Sequence, residues 1–262
     1  MHSRLECSVP VYRDEAVVLR AQKLGESDRI VTLLTRSHGR VRAVARGVRK
    51  TSSRIGGRLE PFAHVDILLH TGKSLESVTQ VESIAAMGGQ LSSDYVAWTS
   101  GTAMLETAER LTPQEGEPAV PQFALLVSGL RSLTAREHDP RLILDSYLLR
   151  SLAVAGWSPS FHDCAQCGSG GPHRAFAIAA GGIVCDVCRP PGSAAPKPET
   201  IELLGALLSG EWERVDSSEA RSRTEASGLI AAFLQWHLDR GLKSLPLVDR
   251  KTARPANVGG VA

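Results

Sequence analysis

Along the first eighty residues, apolar and polar positions alternate in short runs broken by turn residues. The runs 16–24, 28–35, 40–48, 61–70 and 75–82 are rich in Val, Leu, Ile and Thr, and turns such as Ser37-His38-Gly39 and Thr71-Gly72-Lys73-Ser74 separate them. Short runs with turn signals at such intervals predict strands of a small barrel or sandwich. Five strands in this length suit an OB-type β-barrel best. Beyond Met87-Gly88-Gly89 the period lengthens. Tyr95, Trp98, Met104, Leu105, Ala108 and Leu111 recur at helical spacing, as do Phe123, Leu126, Leu130 and Leu133. Asp139-Pro140 provides an N-cap and first turn for a helix carrying Leu142, Ile143, Tyr147, Leu148 and Leu152, and Gly156 is placed to end it. Two further helices are expected around 201–208 and 219–243. From Asp249 onward the pattern has no period and reads as a disordered tail.

Four of the five cysteines change the picture of the second half. They form Cys164-Ala165-Gln166-Cys167 and Cys185-Asp186-Val187-Cys188, with 17 residues between the pairs. That spacing falls in the window of a four-cysteine zinc site, because a two-residue spacer lets one tight turn aim both thiolates at the same point. Phe176 to Ile178 and Ile183-Val184, joined through Gly181-Gly182, read as a short hairpin leading into the second pair. Four thiolates fill a tetrahedron and leave no position for water, so the expected ion is a single structural Zn2+ that folds a module over 161–190. His162 and His173 are alternative ligands, and disulfides the alternative chemistry. Cys7 stands apart with no assigned role.

Charge adds a second feature. The 262 residues carry 30 Lys/Arg and 28 Asp/Glu, a net charge of +2, yet the total hides an asymmetry. Residues 1–80 hold 14 basic against 8 acidic side chains, and no acid occurs between Asp28 and Glu60. A basic block inside a balanced chain points to a polyanion. In the third predicted strand, Arg40, Arg42 and Arg46 share one face and Val41, Ala43 and Ala45 the other. Arg36 precedes the strand, and the loop after it adds Arg49, Lys50, Arg54 and Arg58. On an OB barrel this face and the neighbouring loops form the usual groove for oligonucleotides. These eight cations are the candidate DNA-binding residues; the alternative is a solvated strand of an arginine-rich protein. Only Tyr12 and Phe62 are aromatic in the first 83 residues, so binding is expected to be mainly to phosphate and steeply salt-dependent.

Other signals subtract. Residues 68–74 end like a phosphate-binding loop, but Ile67 stands where that motif needs Gly and a strand pattern follows it. No His-Glu-x-x-His, Gly-x-Ser-x-Gly or paired-acid pattern supports catalysis, so the chain is not expected to be an enzyme. No run is long and apolar enough to span a membrane and the N-terminus has no secretory pattern, which leaves a cytoplasmic protein as the expectation. The expected class is α+β multidomain. An OB-type nucleic-acid-binding domain covers 1–83, a mainly α-helical domain with the inserted zinc module covers 84–248, and the tail covers 249–262.

Two stretches carry a family resemblance. Lys23-Leu24-Gly25-Glu26-Ser27-Asp28-Arg29-Ile30-Val31 followed by residues 40–47 (RVRAVARG) closely resembles the N-terminal signature of the bacterial RecO family of DNA repair proteins. Gly156-Trp157-Ser158-Pro159 leading to Cys164-x-x-Cys167-Gly168, with Gly181-Gly182-Ile183-Val184-Cys185, is similar to that family's zinc-bearing segment. The resemblance runs in the same order over about 12–248. It implies a recombination mediator of gap repair, nucleoid-associated during repair. Such a protein binds single- and double-stranded DNA and anneals complementary strands. It also engages the acidic C-terminal tail of single-strand binding protein (SSB) and, with RecR, helps load RecA. A helix surface such as that of Arg131, Arg136 and Arg141 is a candidate for the tail. The competing reading of the residues is a generic zinc-containing OB module of transcription or translation.

Overall fold

The computed structural model describes residues 11–49, 53, 55–238 and 241–249. By contact the chain divides into two compact units, 1–158 and 159–262.

The first unit opens with a closed five-stranded barrel, in the order β1-β2-β3-β5-β4. β1 is Val11–Leu24, β2 Asp28–Thr35, β3 Gly39–Ala45, β4 Ala63–His70 and β5 Glu76–Ala86. β1 is long enough to pair with both β2 and β4, and a shift of register between Val18 and Arg20 bends it around the barrel. A short parallel contact of Ala43 and Val44 with Glu76 and Ser77 closes the sheet. Alternate residues fill the interior: Val31 and Leu33 from β2, Val41, Ala43 and Ala45 from β3, Val65, Ile67 and Leu69 from β4. Gly39 is required at the β2–β3 turn. Its φ is +62°, and a Cβ there would lie 1.7 Å from the Glu117 carbonyl oxygen.

Three long helices complete this unit: α2 (Tyr95–Leu111), α3 (Val120–Ala135) and α4 (Pro140–Val154), preceded by the five-residue α1 (Met87–Leu91). Asp94 caps α2 by accepting from the amides of Val96 and Ala97, at 2.9 and 3.0 Å. Asp139 caps α4 by accepting from the Arg141 amide at 2.8 Å. The buried stripe of α2 is Ala97, Gly101, Met104, Leu105 and Ala108, whereas Tyr95 and Trp98, which the periodicity grouped with it, are exposed. Tyr147 of α4 is buried and donates to the Met104 carbonyl at 3.3 Å.

The contact boundary at 158 differs from the change of period near residue 83, because the helices cover the outside of the barrel. Val17, Leu19 and Leu34 point outward from their strands yet are buried, as is His64, whose ring lies 6.1 Å from that of Phe123 on α3.

The second unit holds a small antiparallel hairpin, β6 (Ala175–Ala177) and β7 (Gly182–Val184), with α5 (Pro198–Ser209), α6 (Trp212–Asp216) and α7 (Ala220–His237). Phe176 lies between Phe161 and Phe233, at 6.2 Å from each ring, and joins the hairpin to α7. α7 is shorter than the period suggested. α6, barely more than one turn, falls below what periodicity detects. Cys7 and residues 250–262 lie outside the described residues.

Candidate metal centre and nucleic-acid interface

Each cysteine pair sits on a tight turn. The Gly168 amide returns to the Cys164 carbonyl at 2.8 Å with Gly168 at φ +72°, and the Cys188 amide returns to the Cys185 carbonyl at 3.1 Å. The Ala165 amide donates to the Ile183 carbonyl at 2.8 Å, which ties the first turn to the hairpin that carries the second. The four sulfurs of Cys164, Cys167, Cys185 and Cys188 lie within 4.8 Å of one another, the one such grouping of potential ligands among the described residues. Cys167 Sγ and Cys185 Sγ are 3.8 Å apart. That is far beyond a disulfide bond and matches the edge of about 3.8 Å expected for four sulfurs around a tetrahedral ion.

Electrostatics agree with this geometry. Backbone amides, led by that of Cys185, donate to the Cys164 sulfur and hold its thiol down at about 6. The neighbouring thiols of Cys185 and Cys167, with burial, push the Cys188 thiol up to about 12. Four thiolates this close need a cation between them, and the cluster is therefore positioned to bind a metal ion. His162 and His173 are not in the cluster; His173 Nε2 instead meets the Ser169 carbonyl at 2.9 Å.

The basic run is less uniform in space than in sequence. Arg36 pairs with Glu15 at 3.2 Å. Arg40 is only 18% exposed and donates to the Pro113 carbonyl at 2.5 Å, with Glu115 nearby at 3.8 Å. Arg42 faces the same Glu115 at 3.9 Å. Arg58 donates to the Val81 carbonyl at 2.7 Å. Acids from outside the run thus meet several of its cations, which a scan along the chain does not reveal. β3 ends at Ala45, so Arg46 and Arg49 stand in the turn that follows, both exposed. Arg49 Nη1 donates to the Gly25 carbonyl at 2.9 Å, and Asp28 accepts from the Gly47 amide at 2.8 Å. This turn and the β1–β2 loop are therefore neighbours, and exposed Lys23 stands near the end of β1, just before that loop. Lys50 and Arg54 fall outside the described residues.

Thr71-Gly72-Lys73-Ser74 is the link between antiparallel β4 and β5, with no helix after it. The Tyr12 ring packs against the barrel core and that of His38, ring centres 4.1 Å apart, and Phe62 is buried, so neither offers a free ring face. Sequence reasoning missed a groove of about 840 Å3 in the second unit, lined by Phe161, Arg174, Ile201 and Arg214 among others; Arg214 there is held by Glu211 at 3.0 Å. Among the described residues no helix is long and apolar enough to cross a membrane.

Fold and site define a class: an OB-type barrel protein with a helical remainder and a four-thiolate metal centre. The model of the family described as recombination protein O matches in both its parts, the N-terminal one over residues 9–87 and the C-terminal one over 92–246. The chain is 60% identical over 240 residues to the DNA repair protein RecO of Thermobifida fusca, covering 92% of this chain and 99% of that one. Against the proteins of the same name from Streptomyces griseus and a Nocardioides species, identity is 58% over 246 and 59% over 243 residues, with 92% of this chain covered in each case and 99% and 100% of the relative. The chain belongs to the RecO family of DNA repair proteins.

Proposed function

We propose that this protein is a non-enzymatic recombination mediator that binds single- and double-stranded DNA and anneals complementary strands coated with SSB. The observation that carries the reading is the cationic end of the barrel, where Arg46 and Arg49 stand exposed on the turn after β3 and Lys23 stands exposed near the end of β1. Two strands brought together repel through their phosphates, and cations that neutralise both at once lower that repulsion and release counterions. Of the eight cations singled out in the sequence, Arg46, Arg49, Lys50 and Arg54 are the contacts expected to matter most. Arg36, Arg40 and Arg42, which meet acids in the fold, and Arg58, whose bond to the Val81 carbonyl is partly buried, contribute less; the bond of Arg49 to the Gly25 carbonyl is exposed.

In this reading the barrel, residues 1–83, carries DNA. The part over 84–248 holds the acidic SSB tail and, with RecR, assists RecA loading. On α3 and α4, Arg131 is exposed, Arg136 donates to Ser93 Oγ at 2.6 Å and Arg141 meets Asp139 at 3.4 Å, which leaves Arg131 as the clearest cation for the tail. The ion in the thiolate cluster is Zn2+, held by Cys164, Cys167, Cys185 and Cys188, and its part is to stabilise the hairpin rather than to react. The protein works in the cytoplasm, on the nucleoid during repair.

The test is the annealing rate of complementary strands coated either with intact SSB or with SSB lacking its acidic tail. Faster annealing with intact SSB alone is expected. Equal acceleration on both would remove the tail contact. No acceleration on either would leave a generic OB module and end the mediator reading.

A further inference from the structure

The two residues other than glycine with left-handed φ among the described residues, Phe62 at 70° and Arg136 at 57°, flank one feature. It is a cavity of about 340 Å3 at the barrel's edge, lined by Gly57, Pro61, Gly88, Gly89, Ser92 and Trp98 among others. Phe62 packs edge-on beneath Trp98, ring centres 4.8 Å apart, and fixes the indole while leaving it 38% exposed. Arg136 ties down Ser93, next to the lining residue Ser92. A side chain other than glycine in this backbone region is costly, and such residues gather where a site must be held in place.

The lining is unusual in being almost bare of side chains around one indole. Gly57 and Gly89 have no left-handed φ, and a Cβ at either would meet nothing within 4 Å, so the fold does not demand glycine there. The space is left open. Its one acid, Glu60, is paired with Arg29 at 2.5 Å, and the Arg29 guanidinium also reaches the Gly56 carbonyl at 3.5 Å. Arg29 pairs across the sheet with Ala45, the residue before Arg46. The cavity therefore adjoins the cationic end of the barrel and lies within the same compact unit.

We propose that Trp98 is a stacking platform for one unpaired nucleobase of a DNA strand whose phosphates run over Arg46 and Arg49. This rests on the reading of the barrel end as a DNA surface, and extends it: phosphate contacts alone do not distinguish a single strand, whereas an indole beside an open cavity takes a base only when it is unpaired. An exposed planar ring beside open space suits a base better than an aliphatic side chain, and stacking tolerates any base.

The test uses the full chain with two probes of equal charge, a 20-mer of dT and a 20-mer of abasic sites. The intact protein should bind dT about tenfold more tightly or better, the range that stacking one base confers. Trp98→Ala should bring dT down to the abasic level and leave abasic binding unchanged, while Trp98→Phe keeps most of the difference. Gly89→Leu, which intrudes on the cavity from a position with room for it, should show the same dT-specific loss without lowering the melting temperature. In a protein whose other tryptophans are Phe, Trp98 emission should be quenched by dT and not by the abasic strand. Equal binding of both probes by the intact protein would overturn stacking while leaving the phosphate reading standing. Full dT preference in Gly89→Leu would overturn the cavity. Failure to bind either probe would end the DNA reading and this one with it.

Discussion

The Asp14 carboxylate holds the turn that follows β2. It accepts from the Ser37 amide at 3.0 Å and its hydroxyl at 3.2 Å, from the Glu15 amide at 2.8 Å, and meets His38 Nδ1 at 2.7 Å. Burial alone would raise its pKa, but these bonds, led by that of His38, outweigh it and hold the group below its ordinary value of 3.8. The stability it contributes is present above that ordinary value and is lost as pH falls through the lowered one. His64 acts at milder acidity. Burial lowers its pKa from 6.5 against the opposing pull of Glu15 at 2.6 Å, so below pH 6.5 the unfolded chain binds the proton first. The melting temperature should accordingly drop in two stages, one beginning below about pH 6.5 and one below about pH 4. A melting temperature flat from pH 7 to 4 would contradict the His64 stage. Asp14→Ala should remove about 2–4 kcal/mol at neutral pH by orphaning these donors, measured by urea unfolding. Gly101→Ala should cost about 1–3 kcal/mol, because its Cβ would lie 2.9 Å from the Phe62 ring. Neither Asp14 nor Gly101 could be singled out in the sequence, since their importance lies in partners 20 to 40 positions away. The cysteines could, because ligand spacing is local.

Elements followed the same division between local and distant causes. Alternation located all five strands, helical spacing located α2, and the Asp139-Pro140 cap located α4, since each signal lies inside or beside the element it describes. The end of β3 was not legible: Arg46 continues the alternation, and only the turn tied down by Asp28 and Ser27 stops the strand at Ala45. Trp98 was grouped with the core because spacing gives a face and not what covers it. The hairpin of the second unit has only three residues in each strand and is held by the packing of Phe176 and by the turns that carry the cysteines, so loss of the cluster is expected to loosen it. Cys185→Ser, or removal of the ion by a chelator, should expose 161–190 to proteolysis while residues 11–158 keep their protection, as followed by hydrogen exchange. About one zinc per chain is expected in the intact protein, and a Cys185→Ser chain that still held a full equivalent would refute the four-thiolate assignment.

At the scale of the whole molecule the sequence and the fold place charge differently. A stretch with no acid from residue 29 to 59 reads as one continuous basic surface, yet folding brings Glu15 to Arg36, Glu60 to Arg29 and Glu115 to Arg40 and Arg42. Arg46 and Arg49, which meet no acid of this set, stand exposed at one end of the barrel. Arg40→Ala should therefore lower stability by loosening the 109–115 segment, and change DNA affinity little. If about five cations, with Lys23, Arg46 and Arg49 among them, contact phosphate, the log–log salt slope for single strands should lie near −3.5. The most direct measurement is the annealing rate of bare complementary strands across a salt series, for the intact protein and for Arg46→Glu/Arg49→Glu. The account predicts acceleration that fades steeply with salt and is lost in the double variant at unchanged melting temperature. A double variant that anneals strands as fast as the intact protein would contradict it.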